Sequence, residues 1–235
     1  MADERIQTVM DVLRSLRERP ARWVLGLLFF FMFFPHVDIA ISGWFYEPGP
    51  GFTWDPDGFM EFLRSAMPVI IIVSFVVCVA LWVAGIWYEK WFWGLTTPRV
   101  VYLMITLLVG PGLLVEALLK PNWGRARPKD LELFGGDALY TPPFWVANEC
   151  GHNCSFVSGH AAISFWVTAY AWLLPSKWRF TGIVVGTVFG FLMGCVRIAQ
   201  GAHFMSDVIF AGVIVLWVNY FAARTVLDRS NASSD

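Results

Sequence analysis

A chain of 235 residues that is 57% hydrophobic and 15% charged, with a mean hydropathy of +0.58, has too little charge to cover a water-facing surface, which excludes a wholly soluble protein. Its net charge of −1 gives no general attraction to nucleic acid, so any anion it binds must be held by a local cluster of cations. The 13 Trp, 6 Tyr and 21 Phe suit a bilayer, because amphipathic rings gather where hydrocarbon meets headgroup.

In chain order, residues 1–23 come first. Ile6, Val9, Met10, Leu13 and Leu16 fall at helical spacing opposite arginines, so this stretch reads either as a helix lying on the inner membrane surface or as a basic cytoplasmic tail. Apolar runs of the length that crosses about 30 Å of hydrocarbon follow at about 24–46, 66–88, 100–119, 159–175, 180–198 and 207–223. The first is long, lacks a small-residue cleavage site and leads into more membrane, so it reads as a retained helix. Inside it, Asp38 either lines a lipid access route or pairs with His36. Between the third and fourth runs, residues 121–157 are polar and carry Pro, Gly and Asn, which reads as a loop with at most one short helix. The expected fold is therefore all-α: a single membrane domain over residues 1–235, a polytopic bundle of six transmembrane helices.

An even number of spans puts both termini on one side. Placing them in the cytoplasm puts Arg5, Arg14, Arg17, Arg19, Arg22, Lys90, Arg99, Lys177, Arg179, Arg224 and Arg229 inside, as the positive-inside rule favours. Arg64, Lys120, Arg125, Arg127, Lys129 and Arg197 remain outside, and most fall within three motifs.

The first motif runs from Lys120 to Pro128 (KPNWGRARP) at the outer end of the third span. Guanidinium forks suit the oxygens of a phosphate and Lys120 adds a point charge; taken alone, the same cations serve equally as interfacial anchors. The second runs from Cys154 to His160 (CSFVSGH), where the loop turns into the fourth span. Small residues at a helix start expose backbone N–H groups to an anion, although Ser158 also suits a plain N-cap and His160 a packed histidine. The third runs from Arg197 to Asp207 (RIAQGAHFMSD). His203 and Asp207 are four apart, so on a helix Asp207 accepts the N–H of His203 and orients its ring for nucleophilic attack. Hydropathy and charge alone deliver all three motifs to one face, where their cations, histidines and carboxylate converge on a tetrahedral anion.

Cys78 and Cys195 sit in apolar runs and read as packing residues. Cys150 and Cys154, flanking Gly151, His152 and Asn153, read as a disulfide that pins the loop before Ser158; the alternative, a metal site with His152, lacks an evident fourth ligand. The acidic residues beside the motifs form no cluster suited to Mg²⁺.

With these motifs the sequence resembles the type-2 phosphatidic acid phosphatase superfamily, related to vanadium haloperoxidases, whose signature reads KxxxxxxRP, PSGH and SRxxxxxHxxxD. The matches are Lys120, Arg127 and Pro128; Ser158, Gly159 and His160; and Arg197, His203 and Asp207, with spacing kept. Val157 stands where the family has proline and Val196 where it has serine, which loosens the turn before Ser158 and removes a hydrogen bond. The resemblance implies a hydrolase in which His203 attacks phosphorus to form a phosphohistidine and Asp207 holds its ring. His160 would protonate the leaving oxygen and then activate water. Lys120, Arg127, Arg197, Ser158 and Gly159 would bind the phosphoryl oxygens, with no metal or other cofactor needed. The segment from Pro35 to Tyr46, with Asn153 to Gly159, looks like the bacterial branch acting on lipid A, which implies an inner-membrane enzyme facing the periplasm. Undecaprenyl pyrophosphate and phosphatidylglycerophosphate are the competing substrates, and a non-catalytic lipid-phosphate binder or transporter is the rival from another class. The bilayer and a lipid phosphate are the only partners implied; neither nucleic acid nor an obligate protein partner is called for.

Overall fold

The computed structural model describes residues 19–52 and 58–228, and the surface helix or basic tail expected before residue 19 lies outside the described residues. The first apolar run forms α1 (Pro20–Phe33) and α2 (His36–Gly43), bent by 79° between them. Pro35 explains the bend, since it has no N–H to continue the ladder and its ring crowds the preceding turn. A two-residue-per-strand hairpin, β1 (Tyr46–Glu47) and β2 (Gly51–Phe52), pairs Tyr46 with Phe52 antiparallel. After it come α3 (Phe59–Trp87) and α4 (Thr97–Leu107). Helix α4 runs on as π-helical turns over Leu108–Leu119 and a last α turn at Lys120–Asn122. Pro111 lies in that stretch, and the wider i→i+5 winding suits a residue that cannot donate to an α ladder. The second half comprises α5 (Gly159–Trp166), α6 (Thr168–Ala171), α7 (Ser176–Ala199) and α8 (Met205–Ala222), extended by a π turn at Ala223–Leu227.

Among the described residues, four helices are long and apolar enough to cross a membrane, namely Phe59–Trp87, Thr97–Asn122, Ser176–Ala199 and Met205–Leu227, and the bent pair α1 and α2 makes a fifth if it counts as one span. Six were expected. The difference lies at 159–175, which is split at Val167, where the backbone N–H bonds to the Ser164 carbonyl at 3.3 Å. This segment is enclosed by protein: Ala161, Ala162, Phe165, Trp166, Ala169 and Ala171 are all buried. An enclosed helix needs no long lipid-facing exterior, so its polar groups find partners inside. Trp166 donates to Thr106 Oγ1 at 2.9 Å, and Thr168 Oγ1 accepts from Asn219 at 2.9 Å.

Close packing around α5 and α6 depends on a small-residue ridge of α7. A Cβ on Gly186 would lie 2.8 Å from Thr168, one on Gly190 2.4 Å from Phe165, and one on Gly194 2.2 Å from Val208. Without an aqueous hydrophobic drive between helices, such backbone approach is what gains dispersion contacts. The main core gathers Tyr102, Leu103, Phe156, Phe165, Trp166 and Phe210. A second cluster of Ala126, Leu131, Phe134 and Phe204, flanked by Tyr46, Phe52 and Tyr140, ties the 121–157 loop to the hairpin and to the start of α8. The loop holds two 3-10 turns, Pro128–Asp130 and Glu132–Phe134, so it is a packed cap over one end of the bundle.

Candidate active site

All three sequence motifs end at that capped end. Lys120 closes the helix begun by α4, Arg197 lies in the last turn of α7, Ser158 is the N-cap of α5, and Asp207 lies in the first turn of α8. Main-chain bonds stitch the motifs together. Lys129 N donates to Gly201 O at 2.9 Å, Ser155 N to Arg125 O at 2.8 Å, and Ser158 N to Asp207 O at 3.2 Å.

His203 is 1% exposed, and its Nδ1 lies 2.8 Å from the backbone carbonyl of Ser155. A carbonyl only accepts, so Nδ1 carries the proton and Nε2 keeps the lone pair. The expected direct bond from His203 to Asp207 is corrected here: Nδ1 and Asp207 Oδ2 are 3.7 Å apart, too far for a hydrogen bond. The i,i+4 reading fails because His203 lies before α8, which starts at Met205, and because Asp207 is already engaged. It accepts from Phe204 N at 2.8 Å as part of a helix cap, from the Ser155 hydroxyl, and from Arg125 Nη1 at 2.6 Å. Asp207 still acts on the ring through its charge. Burial pulls the His203 pKa down, against the opposing pull of Asp207, to about 4.

Arg125 was not singled out by sequence, yet it is fully buried between two carboxylates. Its Nη1 reaches Asp207 and its Nη2 reaches Asp38 Oδ2 at 2.9 Å, while Nε donates to Thr141 O at 2.9 Å. The guanidinium also lies 4.1 Å from the centroid of the Phe204 ring. Burial works against its charge, but Asp207 and Asp38 outweigh that and raise its pKa. Asp38 also accepts from the Ser206 backbone N–H at 2.9 Å and from its hydroxyl. Neither sequence reading of Asp38 holds: it pairs with Arg125, and its side chain is fully buried. The bend at Pro35 carries α2 in far enough to make this contact.

The remaining cations surround His160 and Gly159. Lys120 Nζ would stand 3.1 Å from a Cβ placed on Gly159, so a larger residue there would make the Lys120 side chain shift. Lys120 now pairs with Glu116 at 2.9 Å, and that carboxylate would also collide with such a Cβ. Arg127 donates through Nε and Nη2 to Asn153 O at 3.0 and 2.7 Å. Arg197 is buried, bonded through Nη1 to Gln200, and its Nε has no partner. His160 lies within electrostatic reach of Arg197, His203, Lys120 and Arg64. Ser158 serves as N-cap, its Oγ accepting from Ala161 N at 3.3 Å. Glu116 and the pair formed by Glu61 and Arg64 are neighbours that the motifs did not include.

Cys150 and Cys154 form a disulfide, with Cα atoms 5.6 Å apart, in the loop just before Ser158. Mass spectrometry of unreduced peptides is expected to recover residues 150 and 154 cross-linked; two free thiols in that peptide would contradict the bridge. Among the described residues, no group of three or more His, Cys, Asp or Glu side chains is placed to hold a metal ion.

Residues 99–230, from the start of α4 past the end of α8, match the PAP2 superfamily. The chain belongs to that family. Among its relatives, a Lipid A 4'-phosphatase of Francisella tularensis subsp. novicida (strain U112) is 36% identical over 208 residues, covering 84% of this chain and 93% of that protein. A Lipid A 4'-phosphatase of Rhizobium leguminosarum is 30% identical over 223 residues, covering 87% of this chain and 93% of that protein. One from Rhizobium etli (strain ATCC 51251 / DSM 11541 / JCM 21823 / NBRC 15573 / CFN 42) is 30% identical over 221 residues, covering 87% and 84%. No solved structure matches the chain significantly. As a PAP2 protein with these relatives it is a phosphoric ester hydrolase, and its long apolar helices make it a multi-pass membrane protein.

Proposed function

We propose that this PAP2 enzyme hydrolyses a phosphate monoester of lipid A at the periplasmic face of the bacterial inner membrane, through a phosphohistidine on His203. One observation carries the mechanism: a buried histidine, held as the Nδ1–H tautomer by a carbonyl, near the cations Arg127 and Arg197, with Lys120 acting on His160 beside it. The substrate comes from the relatives, each described as a Lipid A 4'-phosphatase.

In this reading Nε2 of His203 attacks phosphorus and the bond from phosphorus to the lipid oxygen breaks. A protonated His160 gives its proton to that oxygen, and the charge of Asp207 offsets the positive charge gained by the His203 ring. Lys120, Arg127 and Arg197, with the Ser158 hydroxyl and the Gly159 N–H at the start of α5, bind the equatorial oxygens as their charge develops. Neutral His160 then takes a proton from water, which attacks the phosphohistidine and releases inorganic phosphate. Residues Lys120, Glu116 and Gly159 form one contact set, so substrate phosphate has to displace Glu116 from Lys120.

We further read α5 and α6 as a sixth crossing enclosed by the other helices. Gly159 lies at the capped end, whereas Trp172 lines a cavity together with Arg99 from the opposite end of the helix that closes at Lys120. Both termini then face the cytoplasm, as the basic residues favour. Cysteines introduced at Lys177 and Leu139 are expected to react with an impermeant thiol reagent from opposite sides; labelling of both from the periplasm would break the assignment.

The deciding experiment offers purified protein lipid A, undecaprenyl pyrophosphate, phosphatidylglycerophosphate and phosphatidate, with products identified by mass. Lipid A lacking one phosphate is expected, together with inorganic phosphate, and turnover is expected to persist in excess chelator. Preference for undecaprenyl pyrophosphate would overturn the substrate, and loss of turnover in chelator would overturn the metal-independent route.

The depressed His203 pKa gives a second test. With a folded value near 4 and an ordinary value of 6.5, the ring is neutral at pH 6 in the folded protein. Nitrogen-15 spectra of histidine-labelled protein at pH 6 are therefore expected to show a neutral, Nδ1-protonated ring that disappears in His203→Ala. A doubly protonated ring at that pH contradicts it. By the same sign, the unfolded chain takes up a proton that the folded site refuses between pH 6.5 and about 4, so this histidine weakens the fold as pH falls through that window.

A further inference from the structure

The end of the bundle opposite His203 contains a cationic cavity. Three helices define the two ends. Arg99 is in the first turn of α4 and Lys120 closes that helix roughly 30 Å away by helical rise. Arg179 opens α7 and Arg197 ends it. Asp207 opens α8, and Asp228 follows its final turn. A cavity of about 530 Å³ lies among the far ends, lined by Trp91, Thr96, Arg99, Trp172, Arg179 and Asp228, among others.

The two arginines are fixed in place by the surrounding chain. Arg99 Nη1 donates to the Gly94 carbonyl at 2.8 Å. Gly94 has φ +67, and a Cβ there would come within 2.8 Å of the same Nη1, so the turn needs glycine both for its backbone and for the guanidinium beside it. The Arg179 guanidinium lies 5.4 Å from the centroid of Trp172, and its Nε is buried with no hydrogen-bond partner. Among the described residues that line it, the charged ones are Arg99, Arg179 and Asp228, a balance that leaves the cavity positive.

The depth of the cavity indicates what kind of anion reaches it. Trp87, Tyr88, Trp93 and Trp178 are exposed around this end, forming the aromatic belt that marks headgroup level. Basic pockets between membrane helices at that level bind anionic headgroups. We propose that this cavity binds the phosphate of an anionic glycerophospholipid in the leaflet opposite the active site, with Arg99 and Arg179 as its ligands. The proposal is independent of the catalytic reading, because no residue is shared between the two ends.

Its test uses the purified full-length protein in nonionic detergent, with phosphatidylglycerol, phosphatidylcholine or sn-glycerol 3-phosphate titrated in and bound species counted by native mass spectrometry. Wild type is expected to retain phosphatidylglycerol over phosphatidylcholine, and Arg99→Gln/Arg179→Gln to weaken that retention roughly 30-fold. Turnover of this variant in detergent is expected to match wild type, which reports that it is folded. Asp228→Asn removes the opposing charge among the described lining residues and is expected to tighten retention about five-fold, a gain that unfolding cannot mimic. Unchanged or weaker retention in Asp228→Asn overturns the proposal, as does wild-type retention in the double arginine variant. Equal weakening by His203→Ala would assign the lipid to the catalytic end and overturn it as well. Binding of sn-glycerol 3-phosphate as tight as that of the lipid would overturn the membrane source.

Discussion

Replacing Arg125 with Met is expected to destabilise the folded protein by about 3–5 kcal/mol, the range for removing one partner from a buried ion pair. The loss comes from what is left behind. Asp38 and Asp207 both have fully buried side chains, and without the guanidinium two carboxylates would face each other with no countercharge. The measurement is the thermal midpoint in detergent, which should fall sharply for Arg125→Met. Arg125→Lys should fall between that variant and wild type, since it keeps the charge but loses the fork that spans both partners. Asp38→Asn keeps an acceptor for the Ser206 N–H and removes one charge, so a smaller loss is expected. A wild-type midpoint for Arg125→Met would show that the network contributes nothing to the fold.

His203→Ala is expected to lower turnover by at least about 10⁴-fold, the scale seen when an enzyme loses its nucleophile. His160→Ala should lower it by about 10²–10⁴-fold, as general acid–base removal does. The two variants are separated by the intermediate. With phosphorus-labelled substrate and an alkaline quench, His160→Ala is expected to carry label on residue 203, because its water-activating group is gone, whereas His203→Ala carries none. Phosphate release by His203→Ala at the wild-type rate would sink the mechanism, and label on His203→Ala protein would place the covalent step elsewhere.

The motifs were legible because each occupies a short stretch whose spacing survives in the sequence: Lys120 to Pro128, Cys154 to His160 and Arg197 to Asp207. Their meeting at one end followed from where the apolar runs stop. What could not be read was contact between distant parts of the chain. Asp38 and Arg125 are 87 residues apart, and only packing of the bent α2 against the cap brings them together. From sequence, Asp38 was merely an acid inside an apolar run, and Arg125 one cation of several. The i,i+4 spacing of His203 and Asp207 makes a shared face only on a helix that includes both, whereas the helix starts at Met205, and the Ser155 carbonyl is invisible in the sequence because backbone acceptors leave no trace in residue identity. The span count exceeded the four or five long helices for a related reason: hydropathy measures length and polarity, while α5 and α6 owe their place to the neighbours that enclose them.

The hydrogen bond from His203 to the Ser155 carbonyl has a consequence for how this site can drift in evolution. An orienting partner that is a side chain disappears with a single codon change, but a main-chain oxygen is present whichever amino acid occupies position 155. Exchanging Ser155 for alanine deletes a hydroxyl from Asp207 and leaves the tautomer of His203 where it was. The proton position of the ring is thus inherited from the path of the backbone. Only a change that reroutes the chain between Arg125 and Ser158 can erase it, so the tautomer does not depend on the side chain at position 155, even though that buried side chain has its own bond to Asp207.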